Sequence, residues 1–318
     1  MRLVDRRTTL KMLFALWATG IGGPSFAENG PAAGAPSNFK SVYSDPTQRA
    51  RFVLFLKNVF HLYPERRFDE LIAELTAAYG SDHEIYEALQ TRLHEIKPLF
   101  SEVTYALPAL ATQKQEMARE TAELLGPIRS VKGYVEIGTP GRYVKSLRKR
   151  FTIEGAVFVA NDAAPGLSLE DVIERGQVGR AGQYVPLGNY DGLDGGRIPD
   201  ASVELVTNYI GFHHAPAERL EPFVLSIRRI LKPGGRLIVR DHDVDGPQMR
   251  DMVALAHDVF NAGVKLSWQQ NHDQIRNFTS VAQLEDYLTR MGFVRSPGRR
   301  LQAGDPTHNT LMLFTKPA

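Results

Sequence analysis

From Asp45 to about Gly126, apolar residues return every three or four positions. Phe52, Phe55, Leu56 and Val59 form one such stripe, and Phe68, Leu71, Ile72 and Leu75 form another. The spacing continues through Ile85/Tyr86, Leu89, Leu93 and Ile96, then Met117, Thr121 and Leu124. That period marks a helix with one buried face. Breaks at Pro64, Gly80-Ser81-Asp82, Pro98 and Pro108 divide it, so residues 45–127 are expected to form a helical subdomain of about four helices.

After Pro127 the rhythm changes. Residues 133–137, 156–160, 203–207 and 237–240 read as strands, separated or followed by helical stretches at 167–175, 216–231, 247–263 and 280–291. This alternation over residues 128–318 predicts an α/β fold, a mostly parallel sheet with helices on both faces. The last two apolar runs have a Gly/Asp/Pro turn between them and no helix. They predict a hairpin, and so at least one antiparallel strand.

Composition narrows the chemistry. The 318-residue chain is 43% hydrophobic and 23% charged, which excludes collagen-like and largely disordered classes. It contains no Cys, so thiol chemistry, iron–sulfur clusters and Cys-ligated zinc are excluded. Residues 1–27 combine Arg2, Arg6, Arg7 and Lys11 with an apolar run at Leu10–Ile21 and small Ser25 and Ala27. These are the parts of a signal peptide cut before Glu28. Arg6-Arg7-Thr8-Thr9-Leu10-Lys11 resembles the twin-arginine (Tat) motif, departing from it at Asp5 and Thr9. Export to the periplasm is expected, with an uncleaved membrane anchor as the alternative. Residues 28–44, opening with a Pro/Gly/Ala-rich run, read as a flexible linker. Without the leader the formal charge falls from +2 to −1, so bulk charge does not suggest a nucleic-acid partner. No apolar run reaches the ~18 residues of a membrane span.

Four segments carry candidate chemistry. Glu136-Ile-Gly138-Thr-Pro-Gly141-Arg142 follows a strand and precedes a helix, where glycine lets the backbone approach a ligand beside free N–H groups. Asp162 ends the second strand, suited either to accepting both ribose hydroxyls of a nucleoside or to capping a turn. Asn208 through His213-His214 follows the third candidate strand, at the sheet edge where ligands bind in open α/β folds. Last, a helix stopped by Pro233-Gly234-Gly235 leads into a strand that delivers Asp241-His242-Asp243 to the same edge.

Taken in order, Glu136-x-Gly138, Gly141, Asp162-Ala-Ala-Pro165, Asp200-Ala-Ser-Val-Glu-Leu-Val and Leu231-Lys-Pro-Gly-Gly-Arg-Leu resemble the motifs of class I S-adenosylmethionine-dependent methyltransferases. The resemblance covers roughly residues 128–316 and implies a seven-stranded Rossmann-like sheet with its last strand antiparallel. It implies S-adenosylmethionine as cofactor, bound by Glu136, Gly138, Gly141, Asp162, Asp191 and Asn208, with Asn189 competing for the adenine role of Asp191. The loop departs from the family at Pro140 and Arg142; either Arg142 pairs with the cofactor carboxylate, the favoured reading, or the loop is remodelled and binds the cofactor weakly.

Methyl transfer needs an aligned, desolvated nucleophile and a proton acceptor. His242, oriented by Asp241 or Asp243, is the first candidate and His213 the second; packing and capping are the plain alternatives. No metal is expected, because no second ligand cluster at metal-site spacing accompanies Asp241-His242-Asp243. Trp268, Tyr287, Arg276, Tyr105, Phe100 and Lys114 are candidates to line a substrate pocket. A small-molecule acceptor is expected; the competing expectation is an exported nucleoside-binding protein without turnover. The oligomeric state is left open.

Overall fold

The computed structural model describes residues 37–60, 63–96 and 107–318. The leader, most of the linker, His61, Phe100 and Tyr105 lie outside the described residues. Seven strands form one sheet in the order β3-β2-β1-β4-β5-β7-β6. They are β1 Ser130–Ile137, β2 Thr152–Asn161, β3 Gln183–Pro186, β4 Val203–Asn208, β5 Leu231–Asp241, β6 Val294–Leu301 and β7 Thr310–Thr315. β1 to β5 run parallel, and β7 is antiparallel to both β5 and β6, the hairpin that the sequence predicts.

The strand period of two sorts the central strands between two faces. Val135 and Ile137 of β1, Val206 of β4 and Leu237 and Val239 of β5 pack with α8 (Ala217–Ile230) and α11 (Val281–Arg290). On the opposite face, Tyr134, Leu205 and Ile238 meet α5 (Leu107–Leu125) and α6 (Val144–Leu147). Short α7 (Leu169–Arg175) lies between β2 and β3. β6 is the sheet edge; Arg295 and Arg299 there pair with Glu285, placing charge where an open edge would recruit another strand.

The helices before the sheet divide between two cores. α5 joins the sheet through Met117, Ala118 and Leu125. The earlier ones are α1 (Asn38–Tyr43), α2 (Pro46–Phe55) with a π-helical turn at Leu56–Phe60, α3 (Glu65–Ala78) and α4 (Asp82–Ile96). They cluster around α9 (Pro247–Gly263), which is buried on every side from Met252 to Gly263; short α10 (Trp268–His272) follows it. An apolar pattern running all round a helix signals that position.

Three local expectations change. Residues 38–43 are a helix, not linker: the Ser37 side chain caps it by accepting from Lys40 N–H, and Phe39 and Val42 are buried. β3 has a single buried residue, Val185, which is too little pattern to read in advance. α8 stops at Ile230, and Pro233-Gly234-Gly235 lie inside β5, beside a register shift against β4.

Candidate active site

Glu136, on the α5 face of β1, is fully buried and holds the loop after β1 closed. Its carboxylate accepts hydrogen bonds from the Thr139 hydroxyl, the Tyr134 hydroxyl at 3.1 Å and the Tyr143 N–H at 3.2 Å. Burial pushes its pKa up, and these donors oppose that. Gly138 has φ +78°, and an added Cβ would stand 2.1 Å from Ile210. The room left by glycine is therefore filled by Ile210 from the segment after β4. Gly141 packs against Ala181. Pro140 walls a cavity of about 80 Å³ with Val159, Ala164 and Pro165.

Arg142 departs from expectation. It is 1% exposed and ion-paired with buried Glu174, so its charge already has a partner within the chain. Asp162 stands half-buried at the end of β2, its pKa raised by burial while the Asn189 N–H opposes the shift. Its carbonyl accepts from the Tyr184 hydroxyl at 3.0 Å. Asp191 is exposed and pairs with Arg219 at 2.7 Å. Asn208 is spent on its own turn, donating to the Gly211 carbonyl at 3.1 Å and accepting from Ile210 N–H at 3.3 Å.

The histidines gather elsewhere on the same edge. Gly211, φ +84°, leaves space that a Cβ would contest with His213 and Asp241. His213 Nδ1 lies 2.6 Å from Asp241 Oδ1, and Asp241 also accepts from Phe212 N–H at 2.8 Å and His242 N–H at 2.9 Å. Burial opposes the Asp241 charge, but the adjacent His213 and these hydrogen bonds hold its carboxyl below the usual range. Asp241 thus orients His213 rather than His242. Asp243 accepts from Val281 N–H at 2.8 Å and pins the start of α11. The partner of His242 Nδ1 is Thr307 Oγ1 at 3.0 Å, and Thr307 donates in turn to Asp305 at 2.6 Å. Neither Asp243 nor the backbone-engaged Asp241 carboxylate orients the His242 ring; Thr307 and Asp305 do, and no sequence spacing points to them.

His214 and His257 complete the group. Ring centroids of His213 lie 4.1 Å from His214, 5.3 Å from His257 and 5.5 Å from His242. Burial pushes His242 down to about 3, and His214 and His257 well below the ordinary imidazole range, so these rings are neutral near pH 7. Sequence reasoning does not single out His257; its signal is a His within the largely apolar run 252–260 of α9.

His242 and His257 line a cavity of about 460 Å³ together with Arg142, Arg240, Glu120 and Phe60. That volume suits a small molecule. Trp268, Tyr287, Arg276 and Lys114 do not line it. Trp268 stacks on His83, Arg276 pairs with Asp258 at 2.8 Å, and Lys114 donates to the Ile173 carbonyl at 2.8 Å.

No curated protein matches the chain in sequence. Among solved structures, 1,6-didemethyltoxoflavin-N1-methyltransferase of Burkholderia thailandensis, with 1,6-didemethyltoxoflavin and S-adenosylhomocysteine bound, is 16% identical; the match covers 76% of this chain and 92% of that one, with a TM-score of 0.45. A possible exported protein from Bordetella parapertussis is 15% identical over 91% of this chain and 100% of that one, TM-score 0.44. Phosphoethanolamine N-methyltransferase 2 of Haemonchus contortus, in complex with S-adenosyl-L-methionine, is 13% identical over 68% and 58%, TM-score 0.41. Residues 135–239 match the family model of the methyltransferase domain, a stretch that runs from β1 almost to the end of β5.

Proposed function

We propose that the chain transfers a methyl group from S-adenosylmethionine to a small-molecule acceptor held in the 460 Å³ cavity. The methyltransferase-domain match over residues 135–239 is the observation that carries this reading. The residues fit the cofactor unevenly. Asp162, half-buried at the end of β2, would accept hydrogen bonds from the ribose hydroxyls, and Glu136 holds the loop after β1. Ile210 covers Gly138, so a nucleoside lying across that glycine requires this side chain to move. Bound there, S-adenosylmethionine supplies an electrophilic methyl on its sulfonium. The cavity walls would desolvate the acceptor. His242, fixed through Thr307 to Asp305, would orient the acceptor with a neutral ring, since a group held near 3 is a weak base, and His213, paired with Asp241, would accept the proton.

The leader adds export to this reading; recovery of the chain from the cytoplasmic fraction with an intact N-terminus would remove it.

Calorimetric titration of the full chain with S-adenosylhomocysteine tests the cofactor site. Micromolar binding, about −8 kcal/mol, is expected, tightened by Ile210→Ala and lost in Asp162→Ala. Absence of saturable binding in both the unmodified and Ile210→Ala chains sinks the assignment. Binding with no transfer to any acceptor would favour the nucleoside-binding protein instead.

A further inference from the structure

We propose that His213, His214 and His257 form a binding site for a divalent transition-metal ion of the zinc type. Each offers a ring nitrogen, and the three nitrogens lie within 4.8 Å of one another. Three histidines in a shared pocket is the donor set that imidazole-preferring ions such as Zn2+, Cu2+ and Ni2+ select.

The hydrogen bonds around the rings assign which nitrogen is offered. His214 Nδ1 lies 3.2 Å from the Ile275 carbonyl, and His257 Nδ1 lies 2.8 Å from the Val253 carbonyl. A carbonyl only accepts, so both rings carry their proton on Nδ1 and keep the Nε2 lone pair. His213 Nδ1 faces the Asp241 carboxylate at 2.6 Å, which assigns it the same way. A ligating histidine that passes its other N–H to a carboxylate or carbonyl is the arrangement that fixes ring orientation at metal centres. Here all three rings have it, from three different acceptors on different elements.

Burial supplies the second argument. His213 is 3% exposed, and its Nε2, like that of His214, has no hydrogen-bond partner. A buried polar nitrogen without a partner is costly, and this group holds two. Phe278 packs 5.3 Å from His213 and 5.2 Å from His257, so one side of the group is apolar. A tetrahedral ion bound at ~2.0–2.1 Å sets its nitrogens about 3.3 Å apart. Binding an ion therefore requires the three rings to close from within 4.8 Å to that spacing about their Nδ1 anchors. Because His257 also lines the 460 Å³ cavity, the remaining coordination position would face it, available to a lone-pair-bearing group of a bound small molecule. This inference does not rest on methyl transfer.

The test is a Co2+ titration of the chelator-treated full chain, followed by visible absorption, with Zn2+ as competitor. Saturation at one equivalent, with the d–d bands of a nitrogen-ligated ion lost on adding Zn2+, is expected. His214→Gln and His257→Gln should each weaken binding roughly 100-fold or more, and Asp241→Asn about 10-fold. His83→Gln, a change at an exposed histidine, should leave it unaltered. His214 is only half-buried, so its variant is the one expected to keep its near-ultraviolet circular dichroism if His257→Gln does not. Failure of the unmodified chain to saturate overturns the site. So does Co2+ binding that a folded His214→Gln variant retains in full.

Discussion

The loop after β1 and the histidine group after β4 and β5 stand on one sheet edge and are finished in opposite ways. In the loop every strong polar group has an internal partner: Glu136 is engaged by Thr139, Tyr134 and Tyr143, Arg142 by Glu174, and Asn208 by its own turn. Around the histidines, Nδ1 atoms are anchored while His213 and His214 present buried Nε2 atoms without partners. The first region has spent most of its polar capacity on its own conformation, although Arg142, paired with Glu174, keeps buried guanidinium nitrogens without hydrogen-bond partners. The second is pre-organised and still has capacity to bind. A ligand at the loop must displace Ile210 from Gly138; one at the histidines meets unpartnered nitrogens and must draw the rings together.

Breaking the anchor of the second region should have the largest effect. Asp241→Asn removes the charged acceptor shared by His213 and the Phe212 and His242 N–H groups and should cost about 3 kcal/mol in denaturant unfolding. A loss under ~1 kcal/mol would mean that the pair does not organise the group. Next, Gly138→Ala should cost about 2 kcal/mol, through positive φ and the contact with Ile210. In the double variant with Ile210→Ala, a coupling of about 1 kcal/mol separates the contact from the backbone strain. Zero coupling would show that Ile210 does not occupy the glycine's space.

A third effect, small per pH unit, probes how tightly the first region is sealed. Burial, with Arg142 and Lys145 nearby and Glu136 opposing, pushes Lys114 down to about 7. Unfolded, it titrates near 10.4. Between these values the unfolded chain holds the extra proton, so stability should rise with pH, by at most ~1.4 kcal/mol per unit. Lys114→Met should flatten that slope; an unchanged slope would assign it to another group.

The sequence's legibility follows the same division. Strands β1, β2, β4 and β5, the terminal hairpin and the helices over 216–231, 247–263 and 280–291 were readable because each buries a continuous or periodic apolar set. β3 was not, with one buried residue, nor was α1, six residues long behind a Pro/Gly-rich run. At the site, the motif order brought Glu136, Gly138, Asp162, Asp241 and His242 to one edge, but pairing is a tertiary property. That Glu174 would take Arg142, or that Thr307 and Asp305 would hold His242, depends on segments distant in sequence. The convergence of His257 with His213-His214 likewise depends on how α9 crosses the sheet edge, which no spacing encodes.

The burial of α9 on all sides has a consequence for local opening. The four helices before it have no core of their own: Phe39, Phe52, Phe68 and Leu89 share one cluster with Met252, Val253 and Val259. Undocking them would strip α9 and carry His257 away from its neighbours. Amide hydrogens in the first four helices and in α9 should therefore exchange through one common opening, making the N-terminal layer part of the cooperative unit that builds the site and not a lid over it.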